Sequence, residues 1–451
     1  MVADHKASAP VQQPGIYALA TPPGRGAVAV LRLSGAGVRA AVESFAGGLP
    51  PPRVACLRTL IDRPDGGTID RALVLWFPAP ASYSGEDVAE FQLHGGRATV
   101  AAMVAALSAF GLRQAEPGEF TRRAFHNGKL DLVQAEALAD LVEAETEAQR
   151  RQALRQMDGA LGQAVEAWRQ RLIRAMALIE AVLDFVDEDL PAGVIASAER
   201  DILVLRNDIS NFLAGQGAGE RLREGIRVAV LGPPNAGKSS LVNALAQRDA
   251  AIVSAVAGTT RDVIEVHLDL GGVPVIVADT AGLRETGDVI EAEGVRRAMR
   301  WADQADIRIL VIGADDVPGA ASAIVSKQVG DQLIVVGNKR DLAPLPKAWR
   351  GREVLPVSVR TGEGMGQLLD VLAERARSLG EPGEGAAITR ARHRQILTEV
   401  LAALQRFAVG EELELRAEDL RMAARALGRM TGRIDVEDVL DALFRSFCIG
   451  K

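Results

Sequence analysis

The sequence predicts a multidomain protein, α/β plus all-α, in which a Ras-like P-loop domain is inserted into a helical bundle. Three observations carry this reading. A β-branched run at residues 226–231 (IRVAVL) leads into GPPNAGKSS at residues 232–240 and then into a helix-like LVNALA. Stretches with apolar residues three or four apart lie on both sides of that segment. Ahead of them, residues 1–127 mix short β-branched runs with an Ala-rich helix and Gly/Pro turns. The boundaries read as 1–127 for an N-terminal α/β domain, 128–220 and 380–451 for the two parts of a helical domain, and 221–379 for the nucleotide domain.

In the N-terminal domain, residues 27–33 (AVAVLRL), 72–77 (ALVLWF) and 88–93 read as strands and 100–110 as a helix. Arg32 and Glu90 interrupt two of those strands. On pattern alone they are outward positions of edge strands. A polar loop at 117–129 ends at a helix start.

From residue 130 the period becomes helical. Leu154, Met157, Leu161, Val165, Trp168, Leu172, Met176, Ile179 and Leu183 form one stripe, read as one helix face. The stripe passes through Gly159 and Gly162, each costing about 1 kcal/mol relative to Ala. These glycines also spell the G-x-x-G of an RNA-clamping loop, but the uninterrupted stripe favours close helix packing. A second helix at 196–213 leads through GQGAGE into the nucleotide domain, and GEPGEGAA leads out of it into helices at 392–407, 417–427 and 436–447. Each flank alone makes a thin bundle, so one helical domain with an insertion is the simplest account. Glycine-rich junctions suit such an insertion.

Strand, Gly-rich turn and helix is the context a G-x-x-x-x-G-K-S match requires. Backbone N–H groups of Asn235, Ala236, Gly237 and Ser240 suit a polyphosphate at a helix N-terminus. Lys238 adds a point charge for the β/γ-phosphates and Ser239 a hydroxyl for magnesium. Within Gly258-Thr259-Thr260, Thr260 is a second magnesium candidate. Asp279-Thr280-Ala281-Gly282 ends an apolar strand, where an acid serves a magnesium-bound water. Residues 307–312 and 333–336 are further strands, the latter leading to Asn338-Lys339-Arg340-Asp341. Asp341 is suited to accept two hydrogen bonds from guanine, a pair adenine cannot supply, which gives roughly 10⁴-fold rejection or more. Ser358-Val359-Arg360 would close over the base. The expected ligand is GTP or GDP.

Composition narrows the remainder. Of 451 residues, 48% are hydrophobic and 25% charged, as in ordinary globular protein. Aromatics are only 4%, too few for a base-stacking single-strand binder. A net charge of −7 leaves nucleic-acid affinity to local clusters such as Arg122-Arg123 and RARHR at 390–394, whose bland reading is solvated surface. Two cysteines, Cys56 and Cys448, exclude a disulfide framework and suit a reducing compartment. No signal pattern or spanning apolar run is present, so a cytoplasmic protein without membrane attachment is expected. The terminal Cys448-Ile449-Gly450-Lys451 sits in the register of a prenylation box, but its last two residues and the absence of a polybasic run argue against lipidation.

Several motifs together are similar to one family over nearly the full chain. They are Thr21-Pro22-Pro23-Gly24-Arg25-Gly26, Gly85-Glu86-Asp87, His94-Gly95-Gly96, Pro117-Gly118-Glu119-Phe120, Lys129-Leu130-Asp131-Leu132, the nucleotide-domain elements and Phe447-Cys448-Ile449-Gly450-Lys451. The chain resembles the MnmE (TrmE) tRNA-modification GTPases. The resemblance implies an N-terminal domain that forms a homodimer and binds a tetrahydrofolate derivative through positions matching Arg32, Glu90, Lys129 and Lys451. It implies a flavoprotein partner, MnmG (GidA), in a heterotetramer or larger complex. With tRNA, the pair adds a carboxymethylaminomethyl-type group to carbon five of the wobble uridine. Cys448 would lie near that chemistry, or be a passive thiol.

The resemblance also bears on hydrolysis. Leu283 stands where many Ras-type enzymes place a water-orienting glutamine. Glu291 matches the family's catalytic glutamate, although on sequence alone it reads as a solvated helix-start acid. A potassium ion would replace the arginine finger, a group worth roughly 10³–10⁵ in rate, or about 4–7 kcal/mol. Its ligands would be Asn235, which in isolation could merely support a turn, with Ser254, Val256 and Thr259. The whole segment Ser254, Ala255, Val256, Ala257, Gly258, Thr259 and Thr260 would order over the nucleotide as two such domains meet. The competing expectations are a ribosome-assembly GTPase acting as an rRNA-binding switch and a scaffold that only organises its partner.

Overall fold

The computed structural model describes residues 13–62, 66–184, 193–214, 217–233, 235–248, 250–252, 265–279, 303–313, 332–380, 387–434, 437–445, 447 and 449–450. The chain divides into two compact units, one of residues 1–139 and 427–451 and the other of residues 140–426.

The first unit is built on a six-stranded sheet. Its strands are β1 (Ile16–Leu19), β2 (Val28–Ser34), β3 (Cys56–Asp62), β4 (Gly67–Phe77), β5 (Val88–His94) and β6 (Arg113–Gln114). Their order is β3-β4-β5-β2-β1-β6, antiparallel except for the β1–β6 pair. Period-two alternation puts Leu31, Leu33, Val74, Trp76, Phe91 and Leu93 on one face. That face is buried with Val42 and Phe45 of helix α1 (Val38–Ala46) and Met103 and Leu107 of α2 (Arg97–Phe110). Arg32 and Glu90 project from the opposite face. The edge-strand expectation for them is corrected here: β2 lies between β5 and β1, and β5 between β4 and β2. Alternation reveals a solvated face but not how many strands flank it.

Helix α3 (Glu119–His126) carries a buried Arg123, whose side chain is 2% exposed. It donates to Glu86 at 2.9 Å, to Glu119 at 3.2 Å and to the Pro14 carbonyl at 2.9 Å. Glu86 also accepts from Ser34 at 2.8 Å, and Glu119 is bound by Arg113. The G-E-D and P-G-E-F motifs therefore meet in one structural ion network. The last helix, Glu437–Arg445, packs Leu440, Leu443 and Phe444 against Leu132 and Ala135. The tail beyond it is pinned by an antiparallel bridge between Ile449 and Pro117.

The second unit holds α5 (Glu147–Met157), α6 (Ala160–Asp184), α7 (Val194–Ala214), α8 (Ala218–Glu224) and the nucleotide domain; α4 (Leu132–Glu143) precedes them. The single long helix read from the apolar stripe is corrected to two. Gly159 takes φ 88°, and the chain breaks between α5 and α6. A stripe of three- and four-residue steps survives a one-turn interruption, so periodicity does not register it. Trp168 of α6 meets Phe212 of α7 edge-on, with ring centroids 5.1 Å apart.

The nucleotide domain is a seven-stranded sheet. Its strands are β7 (Ile226–Leu231), β8 (Glu265–Leu270), β9 (Val273–Asp279), β10 (Ile307–Gly313), β11 (Leu333–Asn338), β12 (Ala348–Trp349) and β13 (Arg352–Pro356), in the order β12-β13-β11-β10-β7-β9-β8. The five inner strands are parallel and β12 and β8 are antiparallel. Buried on both faces, the inner strands read as continuous apolar runs. Successive strands diverge to either side of β7, and open α/β sheets bind ligands at the carboxyl end of such a strand.

Both junctions of the nucleotide domain are held by one carboxylate. Arg223 Nε, on the way in, and Arg390 Nη2, on the way out, donate to Asp140 Oδ1 at 2.9 and 2.6 Å. Gln152 adds a bond to the Gly219 carbonyl at 2.9 Å. An added Cβ at Gly219 would sit 2.4 Å from the Ile388 carbonyl oxygen, so the entering and leaving chains touch.

Candidate guanine-nucleotide and anion sites

The loop between β7 and helix α9 (Lys238–Ala246) has the backbone of an anion cradle. Asn235 and Gly237 take φ 64° and 96°, left-handed values that asparagine and glycine tolerate. Gly232 must be glycine for another reason: a Cβ there would lie 2.3 Å from the Val311 carbonyl oxygen. Lys238 Nζ bends over the loop and donates to the carbonyls of Gly232 at 2.9 Å and Pro233 at 2.8 Å. The ammonium is thus held above the loop mouth, where a phosphate would meet it. Ser239 and Ser240 are exposed in the first turn of α9, whose N-terminus carries partial positive charge.

A second loop is tied to the first. Asn338 at the end of β11 is buried, and its Nδ2 donates to the Ala236 carbonyl at 2.9 Å while its Oδ1 accepts from Val359 N at 3.3 Å. One side chain therefore fixes the phosphate loop, the Asn338-Lys339-Asp341 turn and the Ser358-Val359-Arg360 turn relative to one another. Lys339 takes φ 64° at the turn. Ser358 Oγ donates to Asp341 Oδ1 at 2.6 Å, and Arg360 Nε donates to Asp341 Oδ2 at 2.8 Å. The Ser358 hydroxyl and then the Arg360 guanidinium hold the Asp341 carboxyl below the usual carboxylate range. Asp341 is therefore an acceptor-only group at neutral pH.

Asp279 closes β9, next to β7 in the sheet. Its side chain, together with Ser254, Ala255, Val256, Ala257, Gly258, Thr259, Thr260, Thr280, Ala281, Gly282, Glu291, Cys448 and Lys451, lies outside the described residues.

In the N-terminal unit Arg32 and Glu90 are direct cross-strand partners, joined at 3.0 Å. They line an open cavity of about 500 Å³ with Arg53, Phe77, Ser82 and Tyr83. The Arg32 guanidinium sits 5.8 Å from the Tyr83 ring centre, and its Nη1 lies 3.5 Å from the Gly450 carbonyl oxygen. Lys129 is exposed, and its chain lies against Gly85, where an added Cβ would be 3.2 Å from Lys129 Cε. The structure thus brings Arg32 and Glu90 to one cavity, with Gly450 against Arg32 and Lys129 beside Gly85. Burial pushes the Tyr83 hydroxyl's pKa up, and it hydrogen-bonds Thr121 at 2.7 Å. Arg53, Phe77 and Tyr83 are not singled out by sequence reasoning. The only available signal is the scarcity of aromatics, two of which converge on this cavity.

Comparison with known proteins gives the chain's family. The model described as "GTP-binding protein TrmE N-terminus" matches residues 15–129, and the "MnmE helical domain" model matches residues 132–448. A protein of Paramagnetospirillum magneticum named tRNA modification GTPase MnmE is 55% identical over 439 residues, covering 97% of this chain and 99% of that protein. Proteins of the same name from Parvibaculum lavamentivorans and Rhodospirillum rubrum are 54% and 53% identical, each over 97% of this chain and 99% of their own length. The chain belongs to the MnmE family.

Proposed function

We propose that this protein hydrolyses GTP and spends the cycle on modifying the wobble uridine of tRNA. It would act with a flavoprotein of the MnmG type and take its one-carbon unit from a tetrahydrofolate derivative. The observation that carries the reading is the coexistence of two sites in one chain. One is a phosphate loop tied through Asn338 to an ionised Asp341. The other is a cavity of about 500 Å³ that offers guanidinium groups, a carboxylate and aromatic walls. The second set suits a ligand with a planar ring and carboxylates, since Arg binds carboxylates bidentately and Glu accepts from ring N–H groups. The names of the relatives support the tRNA role.

In hydrolysis the chain's own contribution is positioning and charge. The loop amides and Lys238 would hold the β/γ-phosphates, while Asp341 orients the base. Ser239 and Thr260 would hold magnesium, which supplies charge neutralisation on the phosphates. Asn235, an exposed residue of the loop, would hold potassium with Ser254, Val256 and Thr259. Glu291 would orient the attacking water. The protein would act as a cytoplasmic homodimer. Among the described residues, no helix is long and apolar enough to cross a membrane.

The test is nucleoside analysis of tRNA from a deletion strain complemented with wild-type or Lys238→Ala protein. The reading expects the modified wobble uridine only with wild type. Modification restored by Lys238→Ala contradicts a GTP-driven role. Equal GTP turnover in potassium and sodium would remove the potassium assignment alone.

A further inference from the structure

The open cavity of the N-terminal unit carries one charge that its own lining does not balance. Its charged lining residues are Arg32, Glu90 and Arg53. Arg32 and Glu90 are paired at 3.0 Å and cancel. Arg53 has no carboxylate partner among the described residues. Its Nη2 donates to the Ala81 carbonyl, and its guanidinium lies 5.8 Å from the Phe77 ring centre. A carbonyl accepts a hydrogen bond but leaves the positive charge in place. Arg53 also takes φ 63°, with its N–H bonded to the Trp76 carbonyl at 2.8 Å. Glycine would adopt that left-handed turn at lower cost, yet the position carries a long cationic side chain.

Sheet register separates this charge from the Arg32–Glu90 pair. Glu90 faces Arg32 on one side and Leu75 on the other, and Phe77 lies two residues beyond Leu75 on β4. Phe77, with Arg53 over it, is thus two strands from Arg32, about 10 Å across the sheet. A neutralised donor–acceptor pair at one end suits an uncharged heterocycle. An uncompensated guanidinium at the other suits an anion. A reduced folate has this layout: an uncharged pterin, an aromatic spacer, and glutamate carboxylates at the far end. We propose that Arg53 is a further ligand-binding residue of this cavity, the one that takes a glutamate carboxylate of the folate. The inference rests on the folate reading above and deepens it by assigning the anionic end. Arg53 is exposed, so its expected contribution is that of a surface ion pair, about 1.5- to 5-fold in affinity.

The experiment measures, by titration calorimetry, dissociation constants of 5-formyltetrahydrofolate and of its bis-amide, in which both glutamate carboxylates are carboxamides. The proteins are full-length wild type, Arg53→Ala and Lys129→Ala. The readout is the amide/acid ratio of dissociation constants, because a general loosening of the cavity weakens both ligands alike and leaves the ratio unchanged. The expected ratio is about 1.5- to 5-fold lower in Arg53→Ala than in wild type. A ratio unchanged in Arg53→Ala, whether or not it falls in Lys129→Ala, overturns the proposal while leaving the folate reading intact. Wild type that binds neither ligand overturns the folate reading and the proposal with it.

Discussion

Gly237 is the position where the coupling between the two nucleotide loops is most sharply tested. A Cβ at this residue would lie 2.2 Å from Asn338 Nδ2, the atom that donates to Ala236 at 2.9 Å. Asn338 would have to retreat by more than about 1 Å, breaking that bond and stranding a buried amide at a cost of about 1–3 kcal/mol. Alanine at φ 96° adds about 1–2 kcal/mol of backbone strain. The sum is about 2–5 kcal/mol, so Gly237→Ala should weaken GDP binding by at least about 30-fold. The informative assay is a double-mutant cycle by fluorescence titration with labelled GDP. In an Asn338→Ala background the clash partner is gone, and Gly237→Ala should cost only the backbone term, giving a coupling of about 1–3 kcal/mol. Additive losses would refute the argument that one asparagine joins the two loops.

Further outcomes follow from the ion networks. Asp140→Ala leaves two half-buried guanidinium groups without their shared acceptor, and should destabilise the junction of the nucleotide and helical domains by about 3 kcal/mol, read as faster amide exchange over residues 217–225 and 387–390. Arg123→Ala takes the cation from Glu86, while Glu119 keeps Arg113, and should cost about 3 kcal/mol, read as a lower urea midpoint by tryptophan fluorescence. Burial pushes Glu119 up, but bonds from Arg113 and Glu116 N and the charges of Arg113 and Arg123 outweigh it, so its folded pKa lies below the ordinary glutamate value. A depressed carboxylate stabilises above its unfolded pKa and loses that contribution as pH falls through the folded value. Glu119→Gln should therefore lower the urea midpoint at pH 7 and flatten its decline below about pH 4.5.

The parts legible in the sequence are those where a local pattern has one structural meaning. Residues 226–231 and 307–312 are strands because continuous β-branched runs fit a sheet covered on both faces, and GPPNAGKSS between strand and helix has few other uses. Short or half-polar strands are harder to see. β8 alternates Glu265, His267 and Asp269 with Val266, Leu268 and Leu270, and β1 has only four residues, too little pattern to separate from loop. Partners distant in sequence are invisible to periodicity. Nothing local relates Asp140 to Arg390, or Tyr83 to Arg32. Arg32 and Glu90 illustrate the limit of alternation, which gives the face of each but not that they are opposite one another in the sheet interior.

The central claim is that Asp341 selects guanine by accepting two donor bonds, and Asp341→Asn tests it most directly. Asparagine exchanges one acceptor for a donor, which mismatches guanine's 2-amino group and matches the 2-carbonyl of xanthine. Dissociation constants of GDP and XDP for the variant should show GDP weakened by at least about 100-fold and XDP bound more tightly than GDP. GDP binding unchanged by the substitution, with XDP no better than in wild type, would contradict it.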